Sequence, residues 1–181
     1  MKKIASIILL VLVSFCFFSF AYSDDKNKEK KSAMDFYDGM LINAYTGMFD
    51  FSDHKQRAGL IGLQHQNDEL FRKSFLGKLS PITGFFYLPD HAALYMYTGV
   101  QAEYEFGRLK INPSFAPGFY DSGTTGKDLG HPLEFKTEVQ MSYNVTDKSR
   151  LGMSYNHISN ASLGSKNPGA NSYIFNFLKQ F

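Results

Sequence analysis

Two side chains near the end of the chain have the types and the spacing of a general base and a nucleophile. His157 and Ser159 stand two positions apart in YNHISNASLGSKNPGAN, residues 155–171. In a β-strand, residues i and i+2 project from the same face, so the imidazole would stand beside the hydroxyl as a general base. The alternative is that both are ordinary strand residues leading into a loop. The choice depends on which strand carries them and which way its faces point.

The N-terminus has the layout of a secretory signal peptide. Two lysines precede an apolar run, residues 4–20, and the small-x-small site AYS ends at Ser23. This layout predicts a signal peptide over residues 1–23, cleaved after Ser23. The run is just long enough to cross a membrane, so an uncleaved anchor is the alternative. Residues 24–35 are charged and lack periodicity, which predicts a flexible tail.

Composition argues against several kinds of site and partner. Cleavage removes Lys2 and Lys3, which leaves 17 of the 19 basic residues against 17 acidic ones and a formal charge of zero. A neutral chain is unlike a protein whose main partner is nucleic acid. The only cysteine, Cys16, lies inside the signal, so no disulfide and no cysteine-ligated metal is expected. The histidines lack ligand-like spacing, and we predict neither a metal nor a cofactor.

Beyond the tail, apolar and polar residues alternate with a period of two. Residues 92–106, 108–120 and 132–145 show this pattern most clearly, and Pro113 and Pro117 interrupt the second of them. The prolines require a bulge or a locally open ladder. Strands this long are unusual in soluble sheets and suit a tilted strand that crosses a bilayer. We predict eight strands, near residues 39–51, 57–67, 79–89, 92–106, 108–120, 132–145, 149–161 and 171–181.

The last predicted strand indicates the fold class. It places Tyr173, Phe175, Phe177 and the terminal Phe181 on one face, and such an ending resembles the assembly signal of bacterial outer-membrane barrels. We therefore predict an all-β protein, an eight-stranded antiparallel outer-membrane β-barrel over residues 36–181, located in the bacterial outer membrane. Its interior would be filled by side chains. A secreted soluble barrel is the alternative, but it would turn its larger apolar residues inward.

The barrel prediction places the histidine and the serine on the outer wall. With an even number of strands, both termini lie on the periplasmic side, so the seventh strand runs outward. Its lipid-facing positions lead to His157 and Ser159, and Asn171 shares the face of Tyr173 on the next strand. Polar groups against lipid are costly and therefore suggest function. A polar cluster at the barrel rim, where such groups cost little, remains the alternative.

The same segment also carries a family resemblance. HISNASLGSKNPG, residues 157–169, followed by a short strand to a terminal phenylalanine, resembles the PagL type of outer-membrane lipid A 3-O-deacylases, an acyloxyacyl hydrolase-like family. GKDLGHPLEF, residues 126–135, resembles the preceding hairpin of that family. The likeness covers roughly residues 40–181 and is strongest after residue 108.

The resemblance implies a serine esterase that removes a fatty acyl chain from lipid A. Carried over, it makes Ser159 the nucleophile and His157 its base, while Asn160 would help to form the oxyanion hole. Asn171 stands where the family has a glutamate. An asparagine can orient a histidine through its amide oxygen, as in papain-like proteases, but it does not stabilise an imidazolium as a carboxylate does, so slower turnover is expected.

The partners that the resemblance implies are lipid A, or lipopolysaccharide, as substrate and the outer membrane itself. A homodimer is left open. Two acidic residues near the site in sequence, Glu134 and Glu138, have the parity that points into the barrel. The competing hypothesis is a non-catalytic small barrel, structural or lipid-binding, derived from such an enzyme after the loss of its acid.

Overall fold

The period-two pattern produces strands whose two faces differ in chemistry. The computed structural model describes residues 40–52, 57–67, 72–74, 77–124 and 127–181. The predicted signal peptide, residues 1–23, and the tail, residues 24–35, lie outside the described residues. In the described ranges no helix is long and apolar enough to cross a membrane.

Nine antiparallel strands make up the described part of the chain. They are β1 (Met40–Phe49), β2 (Ala58–Asn67), β3 (Arg72–Ser74), β4 (Gly77–Leu88), β5 (Ala93–Phe106), β6 (Leu109–Asp121), β7 (Leu133–Thr146), β8 (Ser149–Ser159) and β9 (Ala170–Gln180).

Eight of these strands close a barrel, as predicted. The order is β2-β1-β9-β8-β7-β6-β5-β4-β3, and an additional pairing of β2 with β4 completes the circle. Among the described residues, the short β3 pairs only with the start of β4, from Arg72 opposite Leu79 to Ser74 opposite Gly77. This extra strand lies within residues 68–78, a connection that is long for the periplasmic turn expected there.

The two prolines of β6 leave local gaps in one ladder. β6 pairs with β7 without interruption from Leu109 to Phe119. On its other side, the pairing with β5 skips the positions at Pro113 and Pro117 but keeps the same register. The prolines therefore open the ladder locally and do not introduce a bulge, because each removes a backbone donor without adding a residue.

The outer wall is apolar, and much of the buried interior is polar. The exposed large hydrophobic side chains of the strands include Leu63, Phe85, Val100, Phe115, Val139, Met141, Leu151, Met153, Tyr173, Phe175 and Phe177. The buried polar side chains include Asn43, Gln64, Gln66, Gln101, Asn112, Gln140, Ser154, Asn156 and Asn176. This arrangement is the reverse of a soluble barrel and is typical of one whose outer wall meets lipid.

The two ends of the barrel differ in their connections. At the turn end, β5 joins β6 and β7 joins β8 through two residues each, 107–108 and 147–148. At the loop end, the connections are L1 (50–57), L2 (89–92), L3 (122–132) and L4 (160–169). The sequence predicts that the loop end is the extracellular one.

The interior is filled differently near the two ends. Toward the turn end, Glu103 accepts charged hydrogen bonds from Lys110 at 2.9 Å and from Arg150 at 3.0 Å. Toward the loop end, rings form a buried aromatic cluster, with Phe86 5.7 Å from Phe49 and 5.3 Å from Tyr95 between ring centroids. An eight-stranded barrel has room for such side chains and little else.

The buried charges make a stability prediction. Replacing Glu103 by alanine leaves Arg150 and Lys110 without their buried partner, which should lower the free energy of unfolding by about 3 kcal/mol. Glu105 is the matched control, because it also contacts Lys110, at 3.2 Å, but its side chain is 58% exposed, against 5% for Glu103. Its replacement by alanine should cost at most about 1 kcal/mol. Urea unfolding in detergent micelles measures both, and equal losses would contradict the role given to Glu103.

Candidate active site

Neighbouring strands at the loop end bring two of the predicted site residues into contact. β8 and β9 pair so that His157 stands opposite Asn171 and Tyr155 stands opposite Tyr173. All four side chains lie on the outer face of the barrel. The Nδ1 atom of His157 is 2.8 Å from the Oδ1 atom of Asn171. The amide oxygen can only accept, so Nδ1 carries the hydrogen and Nε2 keeps a free lone pair, which is the state that a general base needs.

A tyrosine hydroxyl also reaches the same amide oxygen. The Tyr155 hydroxyl donates a hydrogen bond of 2.8 Å to Asn171 Oδ1. Tyr155 precedes His157 by two positions on one face of β8, so its place beside the histidine could have been found from the strand period alone. Its hydrogen bond to Asn171 additionally requires the register between β8 and β9, which the sequence alone does not supply.

L1 adds two residues that sequence reasoning missed. Asn171 Nδ2 donates to Ser52 Oγ at 3.3 Å, and the backbone N–H of Phe51 donates to the backbone carbonyl of Asn171 at 3.1 Å. The Phe51 ring packs on Tyr173, with 4.2 Å between centroids. Ser52 lies 119 positions from Asn171 in the chain, and no local pattern in the sequence connects them.

Ser159 lies on the outer face at the end of β8, partly exposed and opposite Phe135 of β7. Among the described residues, its hydroxyl makes no hydrogen bond, with His157 or with any other group. The Cα atoms of residues i and i+2 of a strand are about 6.6 Å apart. To act on the Ser159 hydroxyl, the His157 imidazole must therefore turn its Nε2 atom toward Ser159. Catalytic hydrogen bonds are often longer before substrate binds.

Gly169 of L4 stands beside the free edge of the imidazole. A Cβ atom at this glycine would lie 2.8 Å from Cε1 and 3.3 Å from Nε2 of His157. The residue also has a φ of +62°, which glycine adopts at little cost and other residues resist. The close approach and the backbone angle both require glycine here.

Asn160 lies next to Ser159, but its side chain points into the barrel. Its Nδ2 donates to the backbone carbonyls of Leu129 at 2.6 Å and Lys166 at 2.9 Å, and its backbone N–H donates to Asn167 Oδ1 at 3.0 Å. These donors are therefore engaged by L3 and L4. The oxyanion role of Asn160 stays a prediction, and its observed contacts hold the two loops together.

The chain turns sharply directly after Asn160. Leu163 N donates to Asn160 O at 3.0 Å, and Ala161 and Ser162, between them, have φ angles of 52° and 65°. Left-handed conformations at two successive non-glycine residues are strained. Such strain is found where the surrounding structure fixes a functional segment.

L3 and L4 are also tied together by an ion pair at the surface. Lys166 Nζ lies 2.9 Å from Asp128 Oδ2. The hydrogen bonds from Lys166 and from the backbone N–H of Gly130 lower the pKa of the Asp128 carboxyl. Asp128 belongs to the segment whose sequence resembles the family hairpin, and Lys166 belongs to the HISNASLGSKNPG segment, so the contact joins the two segments that carry the resemblance.

The two nearby glutamates are on the inner face, as their parity predicted. Glu134 is fully buried in the barrel, and Glu138 accepts a hydrogen bond of 2.6 Å from Lys136. Neither is on the face of His157. No group of three or more histidine, cysteine, aspartate or glutamate side chains able to hold a metal ion occurs among the described residues.

Comparisons with known proteins identify a family and several similar folds. The family model "Lipid A 3-O-deacylase (PagL)" matches residues 62–179. The crystal structure of the outer membrane enzyme PagL is similar at a TM-score of 0.57 and 18% identity, covering 78% of this chain and 99% of that chain. Neisserial surface protein A is similar at 0.50 and 12%, covering 79% and 97%. A comparison with curated protein sequences finds no match.

A designed protein has the same fold. A de novo transmembrane β-barrel is similar at a TM-score of 0.50 and 11% identity, covering 80% of this chain and 97% of that chain. At such identities the solved structures establish the fold alone. The family model is the comparison that reaches the site, because residues 62–179 include His157, Ser159 and Asn171.

The contact between Gly169 and the imidazole makes a prediction. With His157 as the predicted base, Gly169→Ala should displace its ring and lower the rate of the predicted ester hydrolysis by about 10²-fold, because small misplacements of catalytic groups have effects of this size. Gly59→Ala is the matched control, because a Cβ at Gly59 meets nothing within 4 Å. Hydrolysis of a water-insoluble ester in detergent measures both, and equal rates for the two folded variants would show that Gly169 does not position the ring.

Proposed function

Because the chain belongs to the lipid A 3-O-deacylase (PagL) family, we propose that it is a serine esterase of the bacterial outer membrane. Its substrate is lipid A, or lipopolysaccharide, and its reaction releases a fatty acyl chain. The observation that carries the proposal is the 2.8 Å contact between His157 Nδ1 and Asn171 Oδ1 on the outer wall. A base held on this wall faces the lipid phase in which an acylated substrate resides.

The proposed reaction uses three residues in two steps. Ser159 Oγ attacks the carbonyl carbon of the ester while His157 Nε2 takes the hydroxyl proton. The tetrahedral intermediate collapses, the carbon–oxygen bond to lipid A breaks, and His157 returns the proton to the leaving alkoxide. Water, activated by the same nitrogen, then hydrolyses the acyl-serine to a free fatty acid and restores Ser159.

Asn171 acts in this proposal as the residue that orients the base. Its amide oxygen accepts from Nδ1, which directs the lone pair of Nε2 outward. An amide lacks the negative charge that would stabilise the imidazolium, so the chemical step is slower than with a carboxylate at the same place. Slow turnover is compatible with a substrate that resides in the same membrane.

Asn160 supports the oxyanion hole indirectly in this proposal. Its side chain holds L3 to L4 through the carbonyls of Leu129 and Lys166. These bonds fix the strained turn of residues 160–163, in which the backbone N–H groups of Ala161 and Ser162 follow the nucleophile closely in the chain. Backbone donors that are held rigidly need no reorganisation when charge develops on the carbonyl oxygen.

The proposed nucleophile and its base are tested together by three variants. Ser159→Ala, His157→Ala and the double variant should each lower deacylation by about 10³-fold or more, and to similar extents, because members of a catalytic unit are strongly non-additive. Mass spectrometry of lipid A from cells that express each variant measures the loss of one acyl chain. Heat-modifiable migration on gels checks that the barrel has folded.

Two outcomes would contradict the proposal. Substantial deacylation by folded Ser159→Ala would remove Ser159 as the nucleophile. Unchanged lipid A in cells that express the folded wild-type protein, under several growth conditions, would favour the non-catalytic barrel.

The proposed orienting role of Asn171 is tested by two substitutions at that position. Asn171→Ala should lower the rate about tenfold or more, because His157 loses its acceptor. Asn171→Glu should preserve or raise the rate, because a carboxylate both holds the ring and stabilises its positive charge. Purified, refolded variants in detergent provide the measurement. If folded Asn171→Ala matched the wild type, another group would have to orient the histidine.

A further inference from the structure

A chain of hydrogen bonds leads from His157, away from Ser159, to a buried carboxylate. His157 Nδ1 is 2.8 Å from Asn171 Oδ1, and Asn171 Nδ2 is 3.3 Å from Ser52 Oγ. Ser52 Oγ is in turn 3.5 Å from Asp50 Oδ1. The other carboxylate oxygen of Asp50 pairs with Lys127 Nζ. Asp50 is only 2% exposed, so the chain ends inside the barrel.

The direction of the Asn171 amide decides whether His157 can act as a base. With Oδ1 toward the ring, Nδ1 carries the proton and Nε2 is free to accept one. With the amide reversed, Nδ2 donates to Nδ1, and the ring must carry its proton on Nε2. A neutral histidine in that second state cannot take a proton from Ser159. A carboxylate, whose two oxygens both accept, has no such wrong orientation.

The buried carboxylate resolves this ambiguity. Paired with the Lys127 ammonium, the Asp50 carboxylate acts only as an acceptor. The single hydroxyl proton of Ser52 is therefore drawn to Asp50, and Ser52 Oγ is left to accept from Asn171. That acceptor attracts Nδ2 and so turns Oδ1 toward His157.

The backbone of L1 supports this order. Asp50 has a φ of +48°, and the adjacent Phe51 is tied to β9 by its N–H bond of 3.1 Å to the carbonyl of Asn171. The Phe51 ring also packs on Tyr173. These contacts keep Ser52 between Asp50 and Asn171.

We propose that Ser52 and Asp50 are positioning residues that fix the Asn171 amide and, through it, the tautomer of His157. The inference rests on the proposed esterase function and adds to it two residues of L1. In this arrangement a carboxylate does take part in the site, but it acts at a distance, through a serine and an amide.

Kinetics provide the first test. Ser52→Ala should lower kcat about tenfold, the effect of one hydrogen bond, and leave KM near the wild-type value, because Ser52 is on the far side of Asn171 from Ser159. Ser52→Thr retains a hydroxyl and should restore most of the rate. In an Asn171→Glu background the Ser52→Ala change should have little effect, because a carboxylate needs no orienting.

The tautomer of His157 provides a second readout that requires no turnover. Nitrogen-15 NMR of the refolded protein in micelles, assigned with a His157→Gln variant, should show the proton of wild-type His157 on Nδ1. Ser52→Ala and Asp50→Asn should each give a measurable fraction of molecules in which the His157 ring carries its proton on Nε2. In Asp50→Asn, the amide at position 50 can donate to Ser52 Oγ, so the Ser52 hydroxyl proton becomes free to point toward Asn171. Ser165→Ala, which alters an exposed serine of L4, is the matched control and should change neither readout.

The outcomes separate the inference from the proposed function. The inference would be overturned if Ser52→Ala lowered kcat equally in the wild-type protein and in the Asn171→Glu variant. It would also be overturned if the His157 tautomer were unchanged in the folded Ser52→Ala and Asp50→Asn proteins. If the wild-type protein hydrolyses no acyl ester of lipid A, the proposed function fails, while the tautomer measurement still decides whether Ser52 and Asp50 fix the amide.

Discussion

Closure of the backbone ladder is the constraint on which the rest of this structure depends. In the hydrocarbon core of a bilayer no water is available for an unpaired N–H or C=O group, so a sheet that crosses it must have no edge. The pairing of β2 with β4 completes a circle that β1 and β9 continue. Once the circle is closed, each strand has one inner and one outer face. A one-residue shift of β8 would exchange them, moving His157 inward and carrying the buried Arg150 to the lipid.

The closed wall also gives the site its rigidity. The inward neighbours of the site residues, Ile158 beside His157 and Ala170 beside Asn171, belong to the buried hydrophobic cluster that also contains the rings at the loop end. Each polar side chain outside is therefore attached to a backbone that is packed from within. Functional groups are held more accurately on such elements than on loops. The residues that close the arrangement from L1, Phe51 and Ser52, are positioned by contacts with β9.

Most of the fold was predictable from an alternation that persists along each strand. Short elements, and contacts that depend on loops, were not predictable from it. The eight barrel strands and the outer placement of His157 and Asn171 follow from a period that persists over ten or more residues. β3 is only three residues long, too short for any period to be visible. The inward side chain of Asn160 continues the alternation of β8, but its bonds to L3 and L4 depend on loop positions that the period does not reveal. Ser52 reaches Asn171 through the β1–β9 register, which one sequence does not contain.

For the proposed esterase, the position of His157 on the outside of a cylinder, and not in a cleft, has a kinetic consequence. The proposed lipid substrate stays in its own monolayer, so its encounter with this wall would be a two-dimensional diffusion process whose frequency depends on the surface density of the substrate. The Michaelis constant is then expressed as a mole fraction of lipid and not as a bulk concentration. Dilution with inert lipid would slow such a catalyst, whereas dilution with buffer would not.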